Sequence, residues 1–234
     1  MIIEASIGIR LDSVRERMAR AARRAGRSPD SVRLVAVSKT VAAEGVRAAA
    51  AAGQTDFGEN KVQEALQKIL ATADSRIRWH LVGHLQTNKA RKAAQAFACI
   101  HSVDRPDLLA RLDAAAAEAG TVPELLVQVD LGGESTKHGA AAHMVRELLD
   151  RARSCRSVRV IGLMTLPPFG EDAEASRPFF RQLRKIRDEL AGTGVPPAMV
   201  RELSMGMSHD FEVAIDEGAT IVRVGTAIFG PRGG

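Results

Sequence analysis

Val32-Arg33-Leu34-Val35-Ala36-Val37 is a short apolar run rich in β-branched residues, and Ser38-Lys39-Thr40 and an alanine-rich stretch ending at Gly53 follow it directly. An apolar run of strand length, a polar hinge and then helical composition make one strand-helix unit. The unit recurs along the chain. Further strands are expected at 55–57, 77–82, 97–102, 124–129, 158–163, 199–203 and 220–224, with helical stretches at 60–70, 105–119, 140–153 and 172–191. Eight strands alternating with helices predict parallel βαβ units, and in 234 residues they fit an α/β fold closed as a (β/α)8 TIM barrel. A doubly wound open sheet shares this periodicity and stays open as the alternative. Almost no chain follows the eighth strand, so the helix that completes the outer ring is expected at the N-terminus. Residues 6–25 supply it, with Ile9, Val14, Met18, Ala21, Ala22 and Ala25 at helical spacing, and Gly26 with Ser28-Pro29-Asp30 stops it. No linker or low-complexity segment interrupts 1–234, so a single domain is expected, with the barrel at about 32–230.

Composition narrows the function classes. The chain has 33 Lys and Arg against 28 Asp and Glu, a net charge of +5, and 45% hydrophobic residues, enough for a full core. The excess is local: residues 1–33 carry eight arginines against four acids, and residues 146–159 five against two. Basic helix faces are usually solvated surface, and aromatics at 3% offer little for bases to stack on, so no nucleic acid is expected as a partner. Cys99 and Cys155 stand far apart without metal-ligand spacing, which argues against a disulfide framework or a zinc site. No apolar run has the length of a membrane span, and Glu4 interrupts the N-terminal stretch where a signal peptide needs apolar residues. A cytoplasmic protein without membrane contact is expected.

Chemistry gathers at the strand ends. Ser38-Lys39-Thr40, Gly58-Glu59-Asn60, Gly83-His84, His101-Ser102-Val103-Asp104-Arg105, Asp130, Ser204-Met205-Gly206-Met207-Ser208 and Gly225-Thr226 each follow a strand, and in a barrel these ends meet at one mouth. The adjacent loops after strands seven and eight combine glycine, hydroxyls and exposed N–H groups, the donors a phosphate needs. Lys39 at the end of an apolar strand is placed to attack a carbonyl. Lysine and phosphate loops together suggest a Schiff base to a phosphorylated aldehyde, a sugar phosphate or pyridoxal phosphate. His80 and His84 have HxxxH spacing, but on a strand running into a turn they separate, so His80 is expected in the core and His84 on the rim. Glu134, Lys137 and His138 are acid-base candidates, though a solvated loop is the safer reading, and Arg105-Pro106-Asp107 reads as a helix start.

These residues lie within motifs that resemble the YggS-type pyridoxal phosphate homeostasis proteins: AVSK at 36–39, FGENKVQEA at 57–65, WHLVGHLQTNK at 79–89, IHSVDR at 100–105, ESTKHG at 134–139, GLMTL at 162–166, LSMGMSHDFEVAI at 203–215 and VRVGTAIFGPR at 222–232. The resemblance implies a barrel like the N-terminal domain of alanine racemase and a role in binding, buffering and delivering pyridoxal 5'-phosphate (PLP), and so in vitamin B6 homeostasis. It implies that Lys39 carries the cofactor as a Schiff base, that Ser204, Gly225 and Thr226 hold its phosphate, that Arg223 faces the pyridine nitrogen, and that Asn60 and Met205 line it. Asp130 departs from the asparagine expected after strand five. The family implies no committed turnover and no metal; apo PLP-dependent enzymes are the expected recipients and a monomer the expected state. A racemase-like enzyme and a Schiff-base aldolase remain as alternatives. Against the former stands the absence of tyrosine, the residue that serves as the second base in alanine racemases.

Overall fold

The structure is a computed structural model that describes residues 2–133, 138–168 and 170–231, with the backbone alone for 2–5. Glu134 and Lys137 lie outside the described residues. The strands are β1 (Arg33–Val37), β2 (Asp56–Glu59), β3 (Arg78–Leu81), β4 (Cys99–Val103), β5 (Glu124–Asp130), β6 (Ala140–Ala141), β7 (Arg159–Met164), β8 (Glu202–Ser204) and β9 (Ile221–Val224). They run in the order β4-β3-β2-β1-β9-β8-β7-β5, and β4 pairs with β5 to close the ring. Every pairing is parallel. The two-residue β6 joins the far end of β5 outside the ring of eight. The closed barrel is therefore the fold, and the open sheet is not.

Strand alternation divides the apolar residues into two layers. On β1, Val35 and Val37 face the lumen with Val82, Cys99, Leu126, Ile161, Met164 and Ile221, whereas Leu34 and Ala36 join the larger core between strands and helices. The same alternation on β9 turns Val222 and Val224 outward to the helices and leaves Arg223 level with Val35. The strand expected at 199–203 is shorter and later, Glu202–Ser204, because Pro197–Met199 forms a 3-10 turn first. Among the other helices, α2 spans Ala43–Ala51, α3 Val62–Thr72, α4 Ala90–Ala96 and α5 Pro106–Ala119, the last with proline in its first turn as the sequence predicts. After them come α6 (Val145–Ala152), α7 (Arg177–Gly192), α8 (Phe211–Asp216) and α9 (Thr226–Phe229).

The N-terminal helix α1 (Ile2–Arg24) fills the expected gap in the outer ring. Its apolar stripe, Ile7, Leu11, Val14, Met18, Ala21 and Ala22, is buried against the barrel. Arginines at two-turn intervals tie it to the C-terminal elements. Arg10 Nε donates to Ile228 O at 2.7 Å, Arg17 pairs with Glu212 at 2.7 Å while lying over the Phe211 ring, and Arg24 makes a forked pair with Asp216. Each ion pair is partly exposed and contributes on the order of 1 kcal/mol or less. Two of the eight arginines in residues 1–33 are thereby paired with acids of α8.

Candidate functional site

Lys39 sits two residues past β1 in a turn whose next residue, Thr40, adopts the left-handed conformation at φ 65°. The residue before it is anchored from below. Ser38 Oγ donates to Glu59 Oε1 at 2.6 Å, and Lys68 Nζ bonds both that carboxylate and Ser38 O. Glu59 is fully buried, so its charge needs this pairing. The Lys68 amine is thereby committed, and Lys39 lines a cavity of about 200 Å³ with Val37, Thr40, Gly225, Thr226 and Phe229. The β1 and β9 tails approach closely at Gly225, where a Cβ would make a tight 3.2 Å contact with Val37 O.

The loop after β8 brings a further hydroxyl to the same turn. Gly206, at φ 92°, allows a reversal that no side chain tolerates, because a Cβ would come within 2.6 Å of Ala214. Asp210 fastens the loop: Oδ1 accepts from Met207 N at 2.6 Å and Oδ2 from Ser176 Oγ at 2.8 Å. Ser208 is thus held with its Oγ 3.1 Å from Gly225 N and 3.4 Å from Ala227 N. Both N–H groups donate to the Ser208 oxygen, and an anion oxygen taking its place would meet these two backbone donors beside the hydroxyl of Thr226.

The other residues named from the sequence lie elsewhere. Ser204 is fully buried; its hydroxyl meets His101 Nδ1 at 2.9 Å and receives Arg223 Nη1 at 2.6 Å. Arg223 is buried as well, and its Nη2 donates to Thr165 O at 2.9 Å. Burial brings the guanidinium down to about 10, still cationic at neutral pH. Met205 turns its side chain into the outer core and gives its backbone N–H to Ile221 O. Asn60 stands half-buried on the rim after β2, against Gly83, and is outside the wall of the Lys39 cavity. The structure therefore joins Lys39, Gly225 and Thr226 in one wall, sets Ser204 with Arg223 in the interior, and leaves Asn60 and the Met205 side chain apart. Ser208 was visible in the sequence as the second hydroxyl of its loop, but only the fold brings it to Gly225.

His80 is fully buried, as its strand position predicts, and His84 lies on the rim. The His84 ring stacks on His138 with centroids 3.5 Å apart, beside Asp104, which Arg105 holds at 2.7 Å. Burial, His138 and Arg105 lower the His84 pKa against the pull of Asp104. Asp130 Oδ1 accepts from Gly132 N and Gly133 N, closing the turn after β5 on itself.

A closed parallel barrel with a lysine at the end of β1 and a glycine-threonine turn after β9 defines a barrel of the alanine racemase N-terminal type. The family described as "Alanine racemase, N-terminal domain" matches residues 9–233. The chain is 44% identical over 226 residues, 95% of its own length and 97% of the relative's, to the pyridoxal phosphate homeostasis protein of Aquifex aeolicus. It is 42% identical to the protein of that name from Pseudomonas aeruginosa, across 97% of this chain and 96% of the relative. PipY of Synechococcus elongatus PCC7942, solved with PLP bound, superposes with a TM-score of 0.84 at 42% identity, covering 96% of this chain and 100% of PipY. The chain belongs to the pyridoxal phosphate homeostasis protein family. An alanine racemase from Clostridium difficile shares the fold, with a TM-score of 0.75 at 14% identity, and this chain covers 58% of it.

Proposed function

We propose that this protein binds pyridoxal 5'-phosphate through Lys39 and serves its homeostasis as a holder of the cofactor, without committed turnover. The observation that carries the reading is the shared wall of Lys39, Gly225 and Thr226 around one cavity, beside two N–H donors that Ser208 caps. These residues fit the group: an amine for its aldehyde, hydroxyls and backbone N–H groups for its phosphate, and a buried cation for its ring nitrogen. When bound, the cofactor supplies an electrophilic carbon and an electron-withdrawing ring.

Lys39 holds the aldehyde end, and Glu59 with Lys68 fixes the turn that presents it. Ser208, Gly225, Thr226 and Ala227 hold the phosphate. Arg223 would face the ring nitrogen and, being permanently charged, would discourage its protonation. Ser204 acts through Arg223, Met205 through its backbone, and Asn60 from the rim. As a single-domain cytoplasmic monomer, the protein would pass its cofactor to apo PLP-dependent enzymes; no described helix is long and apolar enough to cross a membrane.

Borohydride reduction of the loaded protein and peptide mapping test the central residue. Pyridoxyl is expected on Lys39; label on Lys61, Lys68, Lys89 or Lys137 with Lys39 unmodified overturns the assignment.

A further inference from the structure

Four buried polar residues outside the wall of the Lys39 cavity form one continuous line through the lumen to Arg223. Asp56 Oδ1 meets His80 Nε2 at 2.9 Å, His80 Nδ1 meets His101 Nε2 at 3.0 Å, and His101 Nδ1 meets Ser204 Oγ at 2.9 Å. Ser204 Oγ in turn receives Arg223 Nη1 at 2.6 Å. The first three residues stand on neighbouring strands β2, β3 and β4, but β8 lies on the other side of the ring, so the contact between His101 and Ser204 bridges the lumen. His80, His101 and Ser204 are wholly enclosed and Asp56 is 8% exposed.

The chemistry of the two ends fixes the direction of every bond between them. An arginine only donates and an ionised carboxylate only accepts. Asp56 accepts from His80 Nε2–H, so a neutral His80 must accept at Nδ1 from His101 Nε2–H. A neutral His101 must then accept at Nδ1 from the Ser204 hydroxyl, whose oxygen receives Arg223. Each group gives its proton toward Asp56, and each is satisfied. Burial pushes both imidazoles to low pKa, more strongly at His101, where His80 and Arg223 add to it. Burial alone would raise Asp56, but hydrogen bonds from His80 and Thr55 and the charge of Arg78 leave it below its ordinary value.

The alignment also answers an electrostatic question. Arg223 bonds two neutral oxygens, Ser204 Oγ and Thr165 O, and although the Asp210 charge acts on it through space, a buried cation with no carboxylate bonded to it is costly. A polarised chain ending on a carboxylate offsets part of that cost. We propose that Asp56, His80, His101 and Ser204 are positioning residues for Arg223, a one-way hydrogen-bond relay across the lumen that keeps both imidazoles Nε2-protonated and fixes the guanidinium beneath the mouth. The functional part of this inference rests on the reading that Arg223 serves the cofactor ring. It also removes Ser204 from the phosphate donors, because its single proton is given to His101. His80, Cys99 and His101 are close enough to hold a metal ion, but a proton occupies the space between the rings and burial raises the Cys99 thiol, keeping it protonated.

Nitrogen-15 NMR of the imidazoles in cofactor-free protein at neutral pH tests the relay apart from any cofactor. Protons at Nε2 and lone pairs at Nδ1 are expected on both rings. An Nδ1–H on either ring, or a stoichiometric metal ion found by elemental analysis, overturns the proposal. Ser204→Ala should abolish slow exchange of the Arg223 guanidinium protons and mix the His101 tautomers, and Asp56→Asn should mix the tautomers while leaving a folded barrel. Unchanged Arg223 exchange in Ser204→Ala overturns the positioning role. In the loaded protein, Ser204→Ala should shift the visible band while leaving the affinity ratio of PLP to pyridoxal unchanged; a fall in that ratio would make Ser204 a phosphate ligand and overturn the relay. The wild-type tautomers decide the matter if the variants fail to fold. Label away from Lys39 in the reduction experiment would refute the cofactor reading and leave the relay standing.

Discussion

Thr226→Val removes one hydroxyl from the turn after β9 and changes little else. Thr226 is exposed at the start of α9, and both side chains are β-branched and nearly equal in volume, so stability should move by about 0.5 kcal/mol or less. A hydroxyl bonding a phosphate oxygen makes a charge-assisted bond worth roughly 1.5–3 kcal/mol. At about 1.4 kcal/mol per factor of ten, PLP affinity should fall roughly 10- to 150-fold. The loss stays partial because the N–H groups of Gly225 and Ala227, which Ser208 Oγ caps without the ligand, remain. Pyridoxal has no phosphate and should bind the variant about as well as the wild type. Equilibrium absorbance titrations of both ligands against both proteins give the comparison. Equal weakening of the two ligands would show that the turn only shapes the cavity, and undiminished PLP binding would place the phosphate elsewhere.

Acid should destabilise the cofactor-free protein well above the carboxylate range. His80 and His101 have lowered pKa values in the folded state, so below about pH 6.5 the unfolded chain takes up protons that the folded one refuses. Stability is therefore full above that pH and falls as pH drops through it toward the folded values, by at most about 2.7 kcal/mol per unit for two histidines. Urea midpoints at descending pH check this, and a flat profile down to pH 5 would contradict the neutral, buried imidazoles. With L-alanine and PLP in heavy water, the protein should show at most a trace of α-proton exchange and no useful formation of D-alanine. Racemisation needs a base on each face of the substrate carbon, and a chain with no tyrosine lacks the usual second one; rapid formation of D-alanine would refute the holder reading.

The strands were legible because barrel strands are apolar on both faces and their helices carry a different period, which located all eight within a few residues. The exception at 199–203 arose where Pro196-Pro197 imposes a 3-10 turn that hydropathy does not register. The inward direction of Arg223 followed from simple alternation along β9. What a sequence does not display is which inward residues meet across a lumen: His101 and Ser204 are 103 positions apart and become partners only when the ring closes. The same holds for Ser208. Its loop announces hydroxyls and a glycine, but the choice between Ser204 and Ser208 as the hydroxyl beside Gly225 depends on the bend at Gly206 and the anchoring by Asp210. Polar residues at alternate positions, Asp56 on β2 and Cys99 and His101 on β4, were the available hint of a hydrophilic interior.

Helix α1 leaves the ribosome before any strand exists, yet its partners are made last: Arg10 closes on Ile228, 218 positions later. During synthesis its buried stripe has no surface to cover it, a stage exposed to aggregation or chaperone capture. Sealing of the ring must wait for α8 and α9, and such distant contacts slow folding. The Gly225-Thr226 turn becomes firm in that same final step. Whatever binds there selects chains in which α1 has met α8 and α9, so occupancy reports closure of the barrel's outer ring and stabilises it by mass action.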